Sequence, residues 1–479
     1  MLVVVALTYY ICKQLWDSWQ LPPGPYGVPI LGILPFFQYY QTRPKELQKK
    51  YGNIISFRLG SQLTVYLNDY KSAKEAFIDK GEIFAGRPSN YTPAAVHRTK
   101  GVVWTEGATW RLLRRFTLTS LRDFGLGKLS IEGKIHTELE HLFDVFHNLK
   151  GQPFDPLIPL TNAVSNITCN IVFGKRFDYE DPIFKDIIEF LSKDLLATNP
   201  LRALTNFLPW LRYIPGYKDE IEERKVKQQR IWNFIKDQID EHKRSRESGE
   251  PPRDFLDAIL DQSSLEHETG KIFDEHLLFT ITQLFVAGTE TTATTLQWAL
   301  LFLLKNPDLQ SRLQRMLDET VGTTHLASWE ERSKMPLMES FVLEVQRIGN
   351  IAGLSLPHSN TEETTIGGYK IPARSVIFAN LTLIHQDEEY WQDAGKFVAD
   401  RFINGEKVNS RATGFVPFSL GKRVCLGESL ARMELFMFMA GLLQRFSFYK
   451  PASEKLMDGR TFGLTVHPLP YSVIASPRS

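Results

Sequence analysis

A short glycine-containing stretch near the C-terminus limits the fold and the chemistry of this chain more than any other feature. Residues 418–427 are Phe-Ser-Leu-Gly-Lys-Arg-Val-Cys-Leu-Gly, and an amphipathic run over residues 428–446 follows at once. The two glycines allow the backbone to turn sharply and to approach a flat group closely, because glycine has no Cβ. A helix that begins just after Cys425 adds the positive end of its dipole, and together with backbone N–H groups this favours a thiolate. The pattern predicts a tight turn that presents one sulfur as a ligand.

The alternative is that Cys425 is an ordinary buried cysteine, since unpaired cysteines are often buried. The surrounding pattern argues against that reading, because it resembles the haem-thiolate signature of the cytochrome P-450 superfamily at Phe418, Gly421, Arg423, Cys425 and Gly427. This resemblance extends over nearly the whole chain. It implies that Cys425 ligates the iron of haem b (iron protoporphyrin IX), that Phe418 packs over the sulfur, and that Arg423 binds an acidic group of the cofactor. A cysteine ligand pushes electron density towards the iron and favours O–O cleavage.

Composition indicates a folded globular protein and gives no sign of nucleic-acid binding. The chain has 479 residues, of which 43% are hydrophobic and 12% aromatic, and its formal net charge is +1. No long basic tract changes that picture. No Gly/Ser-rich linker divides the chain, so we expect one large domain. Cys12, Cys169 and Cys425 are an odd number without a C-x-x-C pair, which argues against a zinc site or a disulfide framework and favours a reducing environment.

The N-terminus predicts a membrane anchor over residues 1–20, where an apolar run begins at Leu2. As a helix this segment is barely long enough for a hydrocarbon layer. A cleaved signal peptide and a core helix are the alternatives, but the sequence has no basic segment before the run and no small-x-small cleavage site after it. Basic side chains downstream place the body of the protein on the cytosolic side, namely Arg43, Lys45, Lys49 and Lys50.

Consecutive prolines in residues 21–27 predict a stiff spacer. The segment resembles the proline hinge of microsomal members of the family, and residues 28–479 then form the haem-thiolate catalytic domain. The resemblance therefore implies a protein of the endoplasmic reticulum membrane whose catalytic domain faces the cytosol.

Periodicity predicts a mainly α protein with small β-sheets, and the resemblance implies the same fold, a single large haem-containing domain behind the anchor. Residues 71–80 predict a helix, and the strongly charged run of residues 219–249 predicts an exposed one. The predicted strands are residues 54–59 and 63–67, which would form a hairpin, and residues 364–371 and 375–380.

Residues 274–304 have the apolar spacing of a long buried helix that crosses the molecule. Its middle contains Ala-Gly-Thr-Glu-Thr-Thr at positions 287–292. Gly288 and the hydroxyl side chains lower helix stability. Their presence indicates either a functional role or a weakly stable turn of a long surface helix. Small residues would let the helix lie against a flat cofactor, and the hydroxyls would distort its hydrogen-bond ladder and leave a groove.

This stretch resembles the oxygen-activation motif of the family. The resemblance implies that Ala287 contacts the haem, that Glu290 relays protons and that Thr291 donates them to oxygen and holds water.

Trp110 and Arg114 are four residues apart and share one helical face. An indole N–H and a cation that point together suit an acidic ligand, although an arginine-rich helix is usually a solvated face. The pair resembles the W-x-x-x-R element of the family, which implies that both residues bind a haem propionate. By the same resemblance, Arg87 and His358 contact propionates as well.

Glu344 and Arg347 are three residues apart on one helical face, and exposed pairs of this kind contribute little. They resemble the family's E-x-x-R pair, which is buried behind the haem with a later arginine. That resemblance implies Arg401 as the third member. Ala399 stands where the family usually has proline, which leaves the shape of that loop open.

The sequence offers no nucleotide site that would supply electrons. The nearest approach, Gly-Leu-Gly-Lys at residues 125–128, lacks the third glycine of a dinucleotide fingerprint and the Walker pattern. We therefore expect electrons from NADPH through cytochrome P-450 reductase, with cytochrome b5 as an optional second donor. The resemblance places a basic patch on the cysteine side of the haem that would steer an acidic flavoprotein, consisting of Arg111, Arg115, Arg122, Lys422 and Arg432.

The implied function is that of a microsomal haem-thiolate monooxygenase, similar to animal members that oxidise drugs and fatty acids. Such an enzyme inserts one oxygen atom from O2 into an apolar small molecule, here a fatty acid, sterol, terpenoid or xenobiotic. The expected pocket walls are Val103, Leu284, Ala287, Ala352, Leu356 and Leu464.

Two alternative functions belong to other functional classes than the monooxygenases. One is a reductase-independent haem-thiolate isomerase or dehydratase that acts on lipid peroxides, and the other is a haem-binding carrier or sensor. The intact pair of Glu290 and Thr291 argues against the isomerase.

Overall fold

A computed structural model describes residues 19–88, 99–126, 129–194, 208–247, 249–463 and 465–478, and helices dominate this part of the chain. The α-helices are α1 (Phe37–Gln41), α2 (Pro44–Tyr51), α3 (Tyr70–Lys74), α4 (Gly101–Trp104), α5 (Gly107–Asp123), α6 (Glu132–Asn148), α7 (Leu157–Val172), α8 (Pro182–Glu189), α9 (Tyr217–Ser245), α10 (Phe255–Ser263), α11 (Glu268–Lys305), α12 (Pro307–Thr320), α13 (Pro336–Gly349), α14 (Leu381–Ile384) and α15 (Glu428–Arg445). Short turns of 3-10 or π-helix occur at Leu34–Phe36, Glu75–Asp79, Ile83–Ala85, Leu129–Ile131, Phe190–Asp194, Pro209–Tyr213, Glu330–Lys334 and Gly421–Arg423.

The strands are short, which confirms a mainly α fold with small sheets. They are β1 (Ile54–Leu59), β2 (Gln62–Leu67), β3 (His358–Ser359), β4 (Thr364–Ile366), β5 (Tyr369–Ile371), β6 (Val376–Ala379), β7 (Ile403–Asn404), β8 (Lys407–Val408), β9 (Phe446–Tyr449), β10 (Arg460–Phe462), β11 (Val466–Pro468) and β12 (Ile474–Pro477).

The largest sheet has the strand order β1-β2-β6-β3. The predicted hairpin is confirmed, because β1 and β2 pair antiparallel with Ile54 opposite Leu67. Strand β6 then pairs with β2 in parallel and with β3 in antiparallel orientation.

The prediction of one strand over residues 364–371 is wrong, since β4 and β5 form a second hairpin. Gly367 and Gly368 reverse the chain between them with φ angles of 54° and 83°, a region that glycine occupies without strain.

Helix α11 runs through the main hydrophobic core, where Phe285, Leu296 and Leu300 are fully buried. It begins at Glu268, earlier than the sequence predicts, and continues unbroken to Lys305. A Cβ placed on Gly288 would lie 2.4 Å from the Thr168 hydroxyl on α7. The glycine therefore lets α11 and α7 pack closely.

Helix α9 carries the charged run and is exposed only in part. Ile231, Phe234, Ile235 and Ile239 are buried in the main core, while most of the charged side chains face outwards. The prediction of an exposed helix therefore holds for one face, and the other face anchors the helix to the body of the protein.

The proline segment of residues 21–27 packs on the large sheet. The Ser56 hydroxyl donates to the Pro22 carbonyl oxygen at 2.6 Å, and the Ser56 N–H donates to the Pro23 carbonyl oxygen at 3.0 Å. The segment is thus held against β1, where the sequence predicts a spacer. The predicted anchor falls almost entirely on residues 1–18, outside the described residues. Among the described residues, no helix combines the length and apolarity needed to cross a membrane.

Candidate haem site

Cys425 lies between the Gly421–Arg423 turn and the start of α15. Its backbone N–H donates to the Phe418 carbonyl oxygen at 3.1 Å, which closes the predicted tight loop. Gly421 has a φ of 77°, and a Cβ there would lie 1.8 Å from the Phe77 carbonyl oxygen. Glycine is therefore required by the fold at this position. Gly427 differs, because a Cβ there would meet nothing within 4 Å, so this glycine leaves open space beside the cysteine.

The Cys425 sulfur accepts hydrogen bonds from the backbone N–H groups of Gly427 and Glu428. Burial raises the pKa of the Cys425 thiol, whereas these N–H groups and the nearby Arg114 lower it. The side chain is nevertheless exposed. A sulfur that faces an open space enclosed by protein is exposed to that space and is still desolvated by the surrounding protein atoms. The Phe418 ring lies near the Arg432 guanidinium, 5.1 Å from ring centroid to Cζ.

Three arginines converge beside this loop from distant parts of the chain. Arg423 donates to the carbonyl oxygens of Ala85, Val103 and Thr105. Arg87 donates to the carbonyl oxygens of Pro357 at 2.6 Å and Val103 at 3.0 Å, and Arg114 donates to the Val424 carbonyl oxygen at 2.6 Å.

Burial lowers the pKa of each of these guanidinium groups. Charge repulsion from Arg87 and Arg114 adds to this effect at Arg423, whose pKa falls to about 8. Repulsion from Arg114 acts likewise at Arg87, whose pKa falls to about 9. Carbonyl oxygens satisfy hydrogen-bond donors but do not neutralise charge, so this cluster of cations suits an acidic ligand.

Trp110 and His358 complete the cluster. The Arg423 guanidinium lies 3.9 Å from the Trp110 ring centroid, and the indole N–H of Trp110 is buried without a partner among the described residues. His358 stacks on Phe77, and its Nδ1 lies 2.8 Å from the Phe84 carbonyl oxygen. Burial, followed by repulsion from Arg87, holds the pKa of His358 well below its usual value.

The residues present fit haem with two propionates. Among the described residues, the buried Trp110 indole N–H has no acceptor, and the guanidinium groups of Arg87, Arg114 and Arg423 have no carboxylate hydrogen-bond partner. The desolvated Cys425 sulfur lies beside two backbone N–H groups. The structure brings together all five side chains for which the sequence predicts propionate contact, namely Arg87, Trp110, Arg114, His358 and Arg423.

The middle of α11 has an exposed position within residues 280–305, which are otherwise buried or half-buried. Ala287 is exposed and Thr291 is partly exposed, whereas Thr289 and Thr292 are buried. The Thr291 hydroxyl donates to the Ala287 carbonyl oxygen at 2.9 Å. The helix is nonetheless continuous here, so the predicted distortion of its hydrogen-bond ladder is wrong.

Glu290 faces away from this opening. Its side chain is 1% exposed. Its Oε1 lies 2.7 Å from His467 Nε2 and accepts from the Thr465 hydroxyl at 2.9 Å. The sequence places Glu290 and Thr291 side by side, but their side chains occupy different surroundings.

The predicted pocket residues are partly accessible. Ala352 and Leu356 are exposed, the latter by 46%, while Val103 and Leu284 are partly buried against the main core. Leu464 lies outside the described residues.

The E-x-x-R prediction is confirmed. Arg347 donates to both carboxylate oxygens of Glu344 at 2.8 Å, and both side chains are fully buried. Arg401 Nε approaches Glu344 Oε1 at 3.0 Å, so Arg401 is the third member despite Ala399 in the preceding loop. This ion cluster fixes α13 to the segment that leads to the cysteine loop.

The predicted basic patch is largely neutralised. Arg111 and Lys422 both pair with Glu82 at 2.8 Å, and these hydrogen bonds lower the pKa of Glu82 to about 2. Arg432 pairs with Glu428 at 2.9 Å. Arg115 and Arg122 are exposed.

Sequence reasoning missed the partners of the α11 motif. Thr465 and His467 surround Glu290, and Glu434 of α15 accepts from the Thr292 hydroxyl at 3.1 Å. Burial raises the pKa of Glu434 to about 8. A single threonine, histidine or glutamate in the C-terminal region carries no local pattern that would identify these long-range contacts.

Comparisons with known proteins agree with this geometry. The family model described as Cytochrome P450 matches residues 22–475. Cytochrome P450 2J2 of Homo sapiens is 37% identical over 463 residues, which cover 95% of this chain and 91% of that protein. Cytochrome P450 2U1 of Bos taurus is 34% identical over 508 residues, covering 100% and 93%, and Cytochrome P450 2H2 of Gallus gallus is 38% identical over 469 residues, covering 95% and 94%. A family match over nearly the whole length, together with a loop that presents one cysteine sulfur, shows that this chain belongs to the cytochrome P450 family.

Proposed function

We propose that this P450 monooxygenase oxidises an apolar small molecule, a fatty acid, sterol, terpenoid or xenobiotic, with electrons from NADPH through a reductase. The overall reaction is RH + O2 + NADPH + H⁺ → ROH + H2O + NADP⁺. Atoms and charges balance, with one oxygen atom entering the product and the other leaving as water. The observation that carries the proposal is the cysteine loop beside Arg87, Arg114 and Arg423, whose guanidinium groups have no carboxylate hydrogen-bond partner in the described part of the chain.

Cys425 is the proposed iron ligand, and Trp110, Arg114 and Arg423 are the proposed propionate partners together with Arg87 and His358. When bound, haem supplies the iron that activates O2. Burial raises the pKa of the Cys425 thiol, and the backbone N–H groups of Gly427 and Glu428 offset part of that rise, so iron ligation itself would supply the remaining stabilisation of the thiolate.

Thr291 is the proposed proton donor at the opening of α11, with Ala287 against the haem. The hydroxyl is anchored on the Ala287 carbonyl oxygen, so its own oxygen remains an acceptor for water or for a proton. Exposure of Ala287, Ala352 and Leu356 supports an apolar substrate wall around this point, and Val103 and Leu284 would extend that wall.

A reductase is the proposed electron donor, with cytochrome b5 as an optional second donor. Glu82 pairs with Arg111 and Lys422, so the attraction for an acidic flavoprotein rests mainly on Arg115 and Arg122. Interactions between exposed charges are screened by salt. Electron transfer from the reductase to this protein should therefore slow as ionic strength rises.

The proposed location is the endoplasmic reticulum membrane, with the catalytic domain in the cytosol. Large apolar side chains are exposed beside the segment that follows the predicted anchor, where Phe36 is 48% and Tyr39 is 54% exposed. Trp210 and Tyr213, at 52% and 79%, belong to a turn whose Leu211 packs in the same small core as Ile33. Exposed apolar side chains on two segments that share a small core suit contact with a lipid interface.

The decisive experiment is a substrate screen by spectral shift of the ferric haem, followed by mass analysis of products formed with reductase and NADPH. The expected result is a product heavier by one oxygen atom that requires both NADPH and reductase and incorporates label from ¹⁸O2. Turnover of a lipid hydroperoxide without NADPH would support the isomerase or dehydratase instead. Haem binding without any turnover would support the carrier or sensor.

A further inference from the structure

An acidic side chain lies between two cations of the predicted basic patch. Glu82 Oε2 accepts a hydrogen bond from Arg111 Nη2 of α5 at 2.8 Å, and Glu82 Oε1 lies 2.8 Å from Lys422 Nζ of the cysteine loop. Each carboxylate oxygen therefore has its own cation. We define the Glu82 bridge as these three residues. The bridge takes no part in the proposed iron ligation or propionate binding, so it needs a separate explanation.

The position of Glu82 is set by the backbone on which it stands. A Cβ placed on the preceding residue, Gly81, would lie 3.2 Å from Lys422 Cγ, and a Cβ on Gly421 would lie 1.8 Å from the Phe77 carbonyl oxygen. The segment that ends at Glu82 thus packs directly on the cysteine loop at two points. The fold itself, and not only the reach of a flexible side chain, brings this carboxylate to Lys422.

All three side chains of the Glu82 bridge are largely open to solvent. The exposed fraction is 55% for Glu82, 62% for Arg111 and 52% for Lys422. Ion pairs between exposed side chains contribute little to the free energy of unfolding. Stability alone is therefore a weak reason for an acid at this position. The same exposure leaves both cations within reach of another protein.

Glu82 stays ionised throughout the physiological pH range. The hydrogen bond from Lys422, followed by that from Arg111, lowers the pKa of Glu82 to about 2. Protonation near neutral pH therefore does not release the two cations. An anion that competes for them can do so, and salt that screens the two ion pairs weakens the bridge.

The Glu82 bridge adjoins a row of arginines on α5. Arg111, Arg115 and Arg122 occupy positions i, i+4 and i+11 of this helix, which places them on one face. All three side chains are exposed. A protein with an acidic surface is attracted to this face. To pair with Arg111, however, a carboxylate of that protein must take the place of Glu82.

We propose that Glu82 is an internal competitor of the electron-donor protein: it occupies, between Arg111 and Lys422, the place that a carboxylate of the reductase takes on docking. The geometry of the bridge demonstrates that one carboxylate fits between the two cations. The exchange replaces one carboxylate by another, so no covalent bond breaks and no proton or electron moves. The inference rests on the proposed reductase-dependent function and adds a residue that limits the affinity for the partner.

Equilibrium binding of the full-length haem protein to reductase tests the competition. Glu82→Gln should bind reductase about three- to tenfold more tightly than the wild type at low ionic strength, as expected when two weak exposed ion pairs no longer have to be broken. The difference should disappear at about 0.5 M salt, where exposed charges are screened. Glu82→Ala, which cannot bridge the cations at all, should behave in the same way. Wild-type or weaker affinity in E82Q or E82A with normal haem content would overturn the proposal.

A mutant cycle separates competition from a general effect of charge. The gain from E82Q depends on the release of Arg111 and Lys422, so E82Q should add nothing when both cations are already removed in R111Q/K422Q. An equal gain in the two backgrounds would mean that Glu82 acts through the overall field of the protein. That result would contradict the exchange of carboxylates.

Glu241 provides the matched control for net charge. It accepts a hydrogen bond from Lys175 at 2.6 Å and is 49% exposed, and its helix, α9, packs against α10 and α11. Glu241→Gln changes the net charge of the protein as much as E82Q does, and it should leave the affinity for reductase unchanged. Equal gains from E241Q and E82Q would contradict a specific role of Glu82.

The proposed function and this inference fail in different ways. A wild type that accepts no electrons from reductase refutes the proposed function. A wild type that reductase does reduce, together with E82Q of unchanged affinity, refutes only the competition by Glu82.

Discussion

The two glycines that flank Cys425 predict opposite phenotypes on substitution by alanine. At Gly421, an alanine must adopt a φ of 77°, which costs about 1–3 kcal/mol for a residue with a side chain. Its Cβ would also stand 1.8 Å from the Phe77 carbonyl oxygen, where ordinary contact begins at 3.4 Å. Relieving an overlap with backbone costs about 1–3 kcal/mol more. G421A should therefore lose about 2–6 kcal/mol of stability and yield little folded protein.

Gly427 provides the matched control. It has a negative φ of −93°, and a Cβ there would meet only open space, so G427A should unfold at the wild-type temperature when haem is absent. If the open space receives the cofactor, G427A should lose haem more readily despite its stability. Thermal unfolding of the haem-free proteins and the haem content of the purified ones measure both effects. Equal stability of G421A and the wild type would refute the argument from backbone geometry, and normal haem retention in G427A would refute the argument from open space.

Three further predictions concern the site and the buried acid on α15. Thr291→Ala should keep the carbonyl absorption of the reduced protein but consume NADPH without matching product, and unchanged coupling would contradict the proton role. Trp110→Phe removes an indole N–H that has no protein partner among the described residues. Haem should therefore transfer to a scavenging apoprotein about tenfold faster or more, as expected for a lost hydrogen bond to a charged group, while the haem-free protein keeps its stability. Burial raises the pKa of Glu434 to about 8, so the folded state binds a proton that the unfolded chain releases, and stability should fall as pH rises from about 4.5 to 8. Denaturant unfolding at several pH values should show a smaller slope in E434Q, and an equal slope would contradict the assignment of a neutral buried acid.

The features that the sequence predicted correctly are those set by short spacing. A positive φ that glycine accommodates at position 421, and Glu344 three residues before Arg347, are local patterns with a fixed geometric meaning. The propionate role of Arg423 stays a prediction. Arg401 reaches the same carboxylate, although Ala399 replaces the usual proline. Local backbone preferences thus predict the tight turn before Cys425. The family resemblance is what identifies Arg401 as the partner of Glu344.

The features that the sequence did not predict depend on contacts between distant residues. Gly288 lies against Thr168 on another helix, a contact that no pattern within α11 indicates. Glu82 neutralises Arg111 and Lys422 across the fold, so a count of basic residues overstates the positive surface. His467 reaches Glu290 from the end of the chain, and periodicity within α11 cannot reveal which face of a threonine-rich turn meets a histidine.

The most direct test of the whole account is the carbonyl difference spectrum of Cys425→Ser beside Cys169→Ser. Cys169 is fully buried in the core and serves as the control for loss of a thiol. The account predicts that the reduced C169S protein keeps the red-shifted carbonyl absorption of a thiolate-ligated haem, whereas C425S loses it. Retention of that absorption in C425S would contradict the assignment of Cys425 as the iron ligand.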